Sequence, residues 1–223
     1  MAYSYARRIL DTGLTLVEVC QPHLHRGSIA VYFKAGSMYE TAKENGLSHF
    51  LEHMVFRGTV HHPNAYDLNL AVEKLGGNLF AATGPDSTEF QITLPRECLV
   101  SGTQLLAEVV TKPIFRDMEI ERRIVVEEIR EELDENDRPI DVDYLSRGRL
   151  WPGHALGHSV AGPLQNALSF TEEDIRRHFA KHYAAENTVV CLSGSYDREI
   201  LVPLVEREFS RIPRQTSELA VSC

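Results

Sequence analysis

Five consecutive residues, His49-Phe50-Leu51-Glu52-His53, hold the side chains best suited to chemistry. On a helix, His49 and His53 are one turn apart and project from the same face, so both imidazoles reach one metal ion. Glu52 borders that face, where its carboxylate reaches a water bound to the metal. A carboxylate so placed takes the water's proton and later delivers it to a leaving amine. Chance produces such a pattern in roughly one chain in twenty of this composition. A catalytic zinc needs a third protein ligand, with the fourth position left to water.

An acid-rich stretch supplies candidates: Glu119, Glu121, Glu127, Glu128, Glu131 and Glu132. Ile124, Val125, Ile129 and Leu133 give it the buried stripe of a helix. Glu121 and Glu128 are two turns apart and share a face at the edge of that stripe. For Glu119, Glu127, Glu131 and Glu132 the expectation is a solvated face, as usual in charge-rich helices. Spacing alone does not choose the ligand. A second i, i+4 pair, His178 and His182, encloses no acid and reads as structural. His61-His62, His23/His25 and His154/His158 fall in expected loops and read as solvated.

The elements that must carry these residues follow from periodicity. Leu47, Phe50, Leu51, Met54 and Val55 recur at helical spacing in a stretch that turns helical from Thr41 and stops at Gly58. Asn64 caps a second helix over Ala65–Leu75, closed by Gly76-Gly77. Strands are expected at Leu14–Val19, Ser28–Lys34 and Thr188–Ser193, with a strand pair over Asn78–Leu94 turning at Gly84-Pro85-Asp86. Further helices are expected at Leu99–Val110, Asp117–Leu133, Thr171–Tyr183 and Arg198–Phe209, the third opened by a Thr171/Asp174 capping box. Residues from Asp134 to Pro163 read as one long loop. Strands and helices intermix without regular alternation, so the class is α+β, a mixed α/β sandwich. No interior linker divides the chain, and residues 1–223 read as a single domain.

Composition narrows the function. The chain has 223 residues, 43% hydrophobic and 25% charged, enough to bury a core without staples. Its 32 acids against 23 lysines and arginines, with no long basic block, oppose nucleic acid as main partner. No apolar run approaches a membrane span, and no secretion signal follows Arg7 and Arg8. Cys20, Cys98, Cys191 and Cys223 are scattered. They read as thiols of a reducing compartment, with the cytoplasm expected and Cys223 an exposed end.

Several separated motifs, in order, resemble one family. They are Ala35-Gly36-Ser37 through Glu40, Gly46 through Thr59, Gly76-Gly77, Ala81-Ala82-Thr83, Glu119–Glu131, Trp151–Gly162, Phe170–Asp174, His182-Tyr183 and Asn187–Gly194. This pattern is similar to the inverted zinc-motif metallopeptidases of the pitrilysin/insulinase family, which includes the mitochondrial processing peptidases. The resemblance spans nearly the whole chain as one metal-bearing copy of the family's repeated unit, and it implies a mostly antiparallel mixed sheet packed by helices.

By this resemblance His49, His53 and Glu128 hold one zinc ion per chain, Glu52 is the general base, and Glu121 is a supporting acid of the catalytic site. Phe80, Ala81, Ala82 and Thr83 match an edge strand that takes the peptide substrate as an added strand. Phe80 departs from the family's usual Asn at its position. The resemblance implies a zinc metalloendopeptidase acting on peptides or unfolded segments. It also implies a second homologous domain, absent from this chain and expected from another subunit or a homo-oligomer. The alternative is a non-catalytic scaffold or substrate-presenting subunit.

Overall fold

Alternation along the central strands sets the architecture. In β5 (Thr88–Pro95), Thr88, Phe90, Ile92 and Leu94 are buried while Glu89, Gln91 and Thr93 are less covered. In β6 (Thr188–Gly194), Val190 and Leu192 are buried while Val189 and Cys191 are only half covered. Period-two burial of this kind marks a sheet with helices on one face. The computed structural model describes residues 3–214 and closes this sheet with β1 (Ser4–Ile9), β2 (Thr15–Cys20), β3 (Arg26–Phe33) and β4 (Leu79–Thr83). The order is β1-β2-β6-β3-β5-β4, antiparallel throughout except for the β2–β6 pair. The fold is therefore α+β, and β4 is an edge strand. Cys223 lies outside the described residues.

Eight α-helices complete the described chain: α1 (Leu47–Val55), α2 (Ala65–Lys74), α3 (Leu99–Thr111), α4 (Met118–Glu131), α5 (Val142–Leu150), α6 (Leu164–Ser169), α7 (Glu172–His182) and α8 (Arg198–Phe209). None is long and apolar enough to cross a membrane. Asn64 caps α2 by accepting from the Asp67 amide, and Thr171 with Asp174 forms the capping box of α7. Helix α1 packs against α4, α7 and the strands β4 and β5. Its residues Leu47, Phe50, Leu51, Met54 and Val55 are all buried. At about 1.5–3 kcal/mol for each large apolar side chain, this contact fixes the helix firmly.

Four expectations change. The helix expected from Thr41 begins only at Leu47, because Gly46 at its N-cap has φ +98°, outside helical geometry. Ile124 is 41% exposed, so it leaves the expected stripe of α4, where Glu121 is buried instead alongside Val125 and Ile129. The expected loop between Asp134 and Pro163 contains α5, a helix without a single buried residue. Strand β1 was absent from the sequence expectations. It has no buried residue either and is held by its ladder to β2.

Candidate metal centre

The i, i+4 spacing on α1 brings His49 and His53 together with their Nε2 atoms 3.3 Å apart. Helix α4 lies against α1 and delivers Glu128, whose Oε2 is 3.2 Å from His53 Nε2 and 3.7 Å from His49 Nε2. Among the described residues these three side chains form the group able to hold one ion. Ligand atoms about 2.0–2.2 Å from a tetrahedral zinc stand about 3.3–3.6 Å from one another, close to the spacing seen. The residues present thus fit the ion.

The second ring nitrogens settle which atoms face the centre. His53 Nδ1 lies 3.1 Å from Glu121 Oε2, and a carboxylate there accepts the Nδ1 proton, leaving the Nε2 lone pair to face inward. His49 Nδ1 is buried and has no partner. Burial, and then the charge of His53, lower the His49 pKa to about 4, so this ring is neutral at pH 7. Burial also pulls on His53, but the Glu121 hydrogen bond and the charges of Glu128, Glu121 and Glu52 outweigh it, and its pKa is raised. Acceptor atoms therefore converge in a field that favours a positive charge.

Glu52 lies in the same cleft, which has a volume of about 510 Å³ and is lined by His49, Glu128, Ala82, Thr83 and Ala161 among others. The Thr83 hydroxyl donates to Glu52 Oε2 at 2.5 Å. Burial raises the Glu52 pKa against the pull of that hydrogen bond and of His53. A carboxyl held in this way takes and gives protons nearer neutral pH. Thr83 thus touches Glu52 itself, while its strand β4 forms the cleft wall. In the register of β4 with β5, Ala81 and Thr83 share the helix-covered face, whereas Phe80 and Ala82 point to the opposite one. Phe80 and Ala81 line a neighbouring hollow with Phe56 and Arg57.

Of the six acids weighed on the α4 stretch, Glu128 reaches both histidines and Glu121 reaches His53 alone. Glu119 and Glu127 pair with Arg122 and Arg130 on the surface. Glu131 and Glu132 are exposed and also rim the cleft, a position that a purely solvated face does not describe. Sequence reasoning missed Arg57, whose guanidinium donates to Glu121 Oε1 at 3.0 Å and holds the buried acid in place. Its one signal was the offset of four residues from His53. The pair His178 and His182 is buried away from the centre. His178 Nε2 meets Ser48 Oγ at 2.9 Å, and His182 Nδ1 donates to the Lys34 carbonyl at 3.0 Å.

Comparison with known proteins agrees with this geometry. The profile of insulinase (peptidase family M16) matches residues 17–164, and that of the peptidase M16 inactive domain matches residues 169–221. The β subunit of mitochondrial-processing peptidase from Lentinula edodes is 31% identical over 213 residues, covering 95% of this chain and 45% of that protein. An uncharacterized zinc protease from Rickettsia felis is 31% identical, covering 91% of this chain and 49% of that protein. Cytochrome b-c1 complex subunit 1 of Mus musculus is 32% identical, covering 96% and 44%. A protease structure from Helicobacter pylori superposes with a TM-score of 0.86 at 23% identity, over 99% of this chain and 53% of that one. The chain spans about half the length of the curated relatives it matches. With a family profile covering well over half its length, the chain belongs to the insulinase family of peptidases, family M16.

Proposed function

We propose that this chain is the metal-bearing half of a zinc metalloendopeptidase. The observation that carries the reading is the convergence of His49, His53 and Glu128 at tetrahedral ligand spacing, with the Glu52 carboxylate in the same cleft. When bound, zinc polarises a peptide carbonyl and lowers the pKa of water. The remaining work falls to the chain's own residues. Glu52 accepts a proton at its carboxylate and returns it to the leaving amine. Thr83 orients Glu52, and Glu121 orients His53. The exposed edge of β4, with Phe80, Ala81, Ala82 and Thr83, offers backbone groups to an extended peptide or unfolded segment. A homologous second unit forms the opposite wall. The free thiols Cys20, Cys98 and Cys191 suit a reducing compartment such as the cytoplasm.

A second reading, a non-catalytic scaffold or substrate-presenting subunit, draws on the likeness to cytochrome b-c1 complex subunit 1. The intact set of three ligands plus Glu52 favours the enzyme. The deciding experiment measures zinc content and cleavage of quenched peptides by the complete native assembly, wild type against Glu52→Gln. Glu52→Gln retains zinc and loses about a hundred- to ten-thousand-fold in turnover. Equal cleavage by both proteins rejects Glu52 as the base, and zinc without cleavage in the wild type rejects the enzyme.

A further inference from the structure

Helix α1 carries three of the four residues of the proposed centre, yet its N-terminus has no local cap. Gly46 occupies the N-cap position and has no side chain to bond the first-turn amides. Such amides, left bare in a buried helix end, are costly. Glu40, at 0% exposure, supplies what is missing from six residues upstream. Its Oε2 accepts from the Gly46 amide at 2.8 Å and its Oε1 from the Ser48 amide at 2.6 Å. The Asn45 side-chain amide also donates to Oε2, at 3.2 Å.

We propose that Glu40 is the positioning residue of the catalytic helix, a buried carboxylate that fixes where His49, Glu52 and His53 stand. Both of its oxygens face only donors, the Gly46 and Ser48 amides, the Asn45 side-chain amide and the Ser48 hydroxyl, so an anion satisfies every partner. A glutamine in its place would turn an NH2 group toward one of those donors. The negative charge also sits at the positive end of the α1 dipole. The tether extends further. Asn45 donates to the Ser159 carbonyl at 2.8 Å, and Asn166 donates back to the Asn45 carbonyl at 3.0 Å. The segment so bound carries Val160 and Ala161, which line the cleft. One carboxylate therefore sets the registry of the ligand helix and, through Asn45, that of the Val160–Ala161 lining. A purely space-filling role would not require a charge here, because burying a carboxylate costs free energy that an apolar side chain avoids.

The kinetic part of this inference rests on the metallopeptidase reading, whereas the tether does not. The test compares wild type, Glu40→Gln, Asn45→Ala and the core variant Leu192→Ala in β6, which lowers stability by opening a cavity away from the Glu40 hydrogen bonds. Three quantities are read in each: exchange of the Gly46 and Ser48 amides, the absorption spectrum of the cobalt-substituted centre, and kcat and KM on a quenched peptide in the complete assembly. Glu40→Gln speeds the two amides by about tenfold or more and alters the cobalt spectrum. It lowers kcat by about ten- to a hundredfold, since misplacement of reacting groups by about 1 Å costs up to that much, and leaves KM within about twofold. Asn45→Ala moves the same readouts in the same direction by less and serves alone if Glu40→Gln does not fold. Leu192→Ala moves none of them. An unchanged cobalt spectrum and kcat in folded Glu40→Gln, beside an active wild type, overturns the positioning role. If the wild type neither binds cobalt nor cleaves peptide, the metallopeptidase reading is what fails, and amide exchange decides the tether. Unchanged exchange then overturns it.

Discussion

Glu121 and Glu128 illustrate how two identical side chains on one helix face acquire different work. Glu128 keeps 43% of its side chain exposed and aims Oε2 at both Nε2 atoms, whereas Glu121 keeps 7% and is held between His53 Nδ1 and Arg57. Glu128→Gln removes a charged ligand atom and is expected to abolish stoichiometric zinc. Glu121→Gln leaves the ligands in place but withdraws the charge that orients His53, and is expected to weaken zinc about ten- to a hundredfold. Competition with a chelator of known affinity measures both. A larger loss in Glu121→Gln than in Glu128→Gln would reverse the assignment. The sequence made half of this site legible, since i, i+4 histidines on an apolar-striped helix must share a face. The third candidate ligand was not legible from spacing, because six acids crowd one stretch and only the crossing of α1 over α4 picks among them. Arg57 was hidden for the same reason: its partner is 64 residues away.

Gly46 shows the constraint at the level of an element. Its φ of +98° is strained for any side chain, and a Cβ there would collide with the Ala161 carbonyl oxygen. Gly46→Ala is therefore expected to destabilise the protein by about 1–3 kcal/mol and to shift the start of α1. Chemical denaturation beside zinc affinity checks it, and a neutral effect on both would show that the Asn45–Gly46 turn is not fixed. Helix α7 carries a different load. Burial, foremost, holds the His182 pKa at about 4, and burial then neighbouring positive charge push the His178 pKa well below its ordinary value. The unfolded chain takes up these protons near pH 6.5 and the folded chain does not, so stability is full above pH 6.5 and falls as the pH drops toward 4. For His182 the loss is about 2 kcal/mol by pH 5. His182→Asn keeps a donor for the Lys34 carbonyl without the titration, so its stability is expected to change less between pH 6.5 and 5. Parallel curves for the two proteins would reject this account. Elements with a buried face, such as α1, α7 and β5, were legible because burial writes a period into the sequence. Strand β1 and helix α5 bury nothing and wrote none. Val142 and Leu150 in α5 are instead 72% and 68% exposed, so their apolar character points outward and mimics no amphipathic pattern.

The whole molecule places its chemistry at a margin. The cleft lies between α1, α4 and the edge strand β4, while the sheet face opposite the helices shows Tyr5, Ile9 and Phe80 to solvent. The cleft itself opens to solvent, and Glu128 keeps 43% of its side chain exposed there. These features separate metal binding from turnover. All three proposed ligands come from α1 and α4, which pack within this chain, so one zinc per chain is expected from the isolated 223-residue polypeptide. Turnover needs more. A flexible peptide must be held in line and water limited, and such positioning supplies roughly 7–11 kcal/mol of barrier lowering. Without an opposing wall, cleavage is expected at background even with zinc bound. A second copy could fill the space, but a distinct homologous unit fits an asymmetric peptide better, since the wall it must form differs from the wall that carries the ligands. The check is peptide cleavage by zinc-loaded chain across a dilution series, with molecular mass followed at each concentration and a homologous partner then added. Activity that appears only with partner, or rises with self-association, supports the argument. A monomer cleaving at full, concentration-independent specific activity shows instead that α1, α4 and β4 hold the peptide unaided.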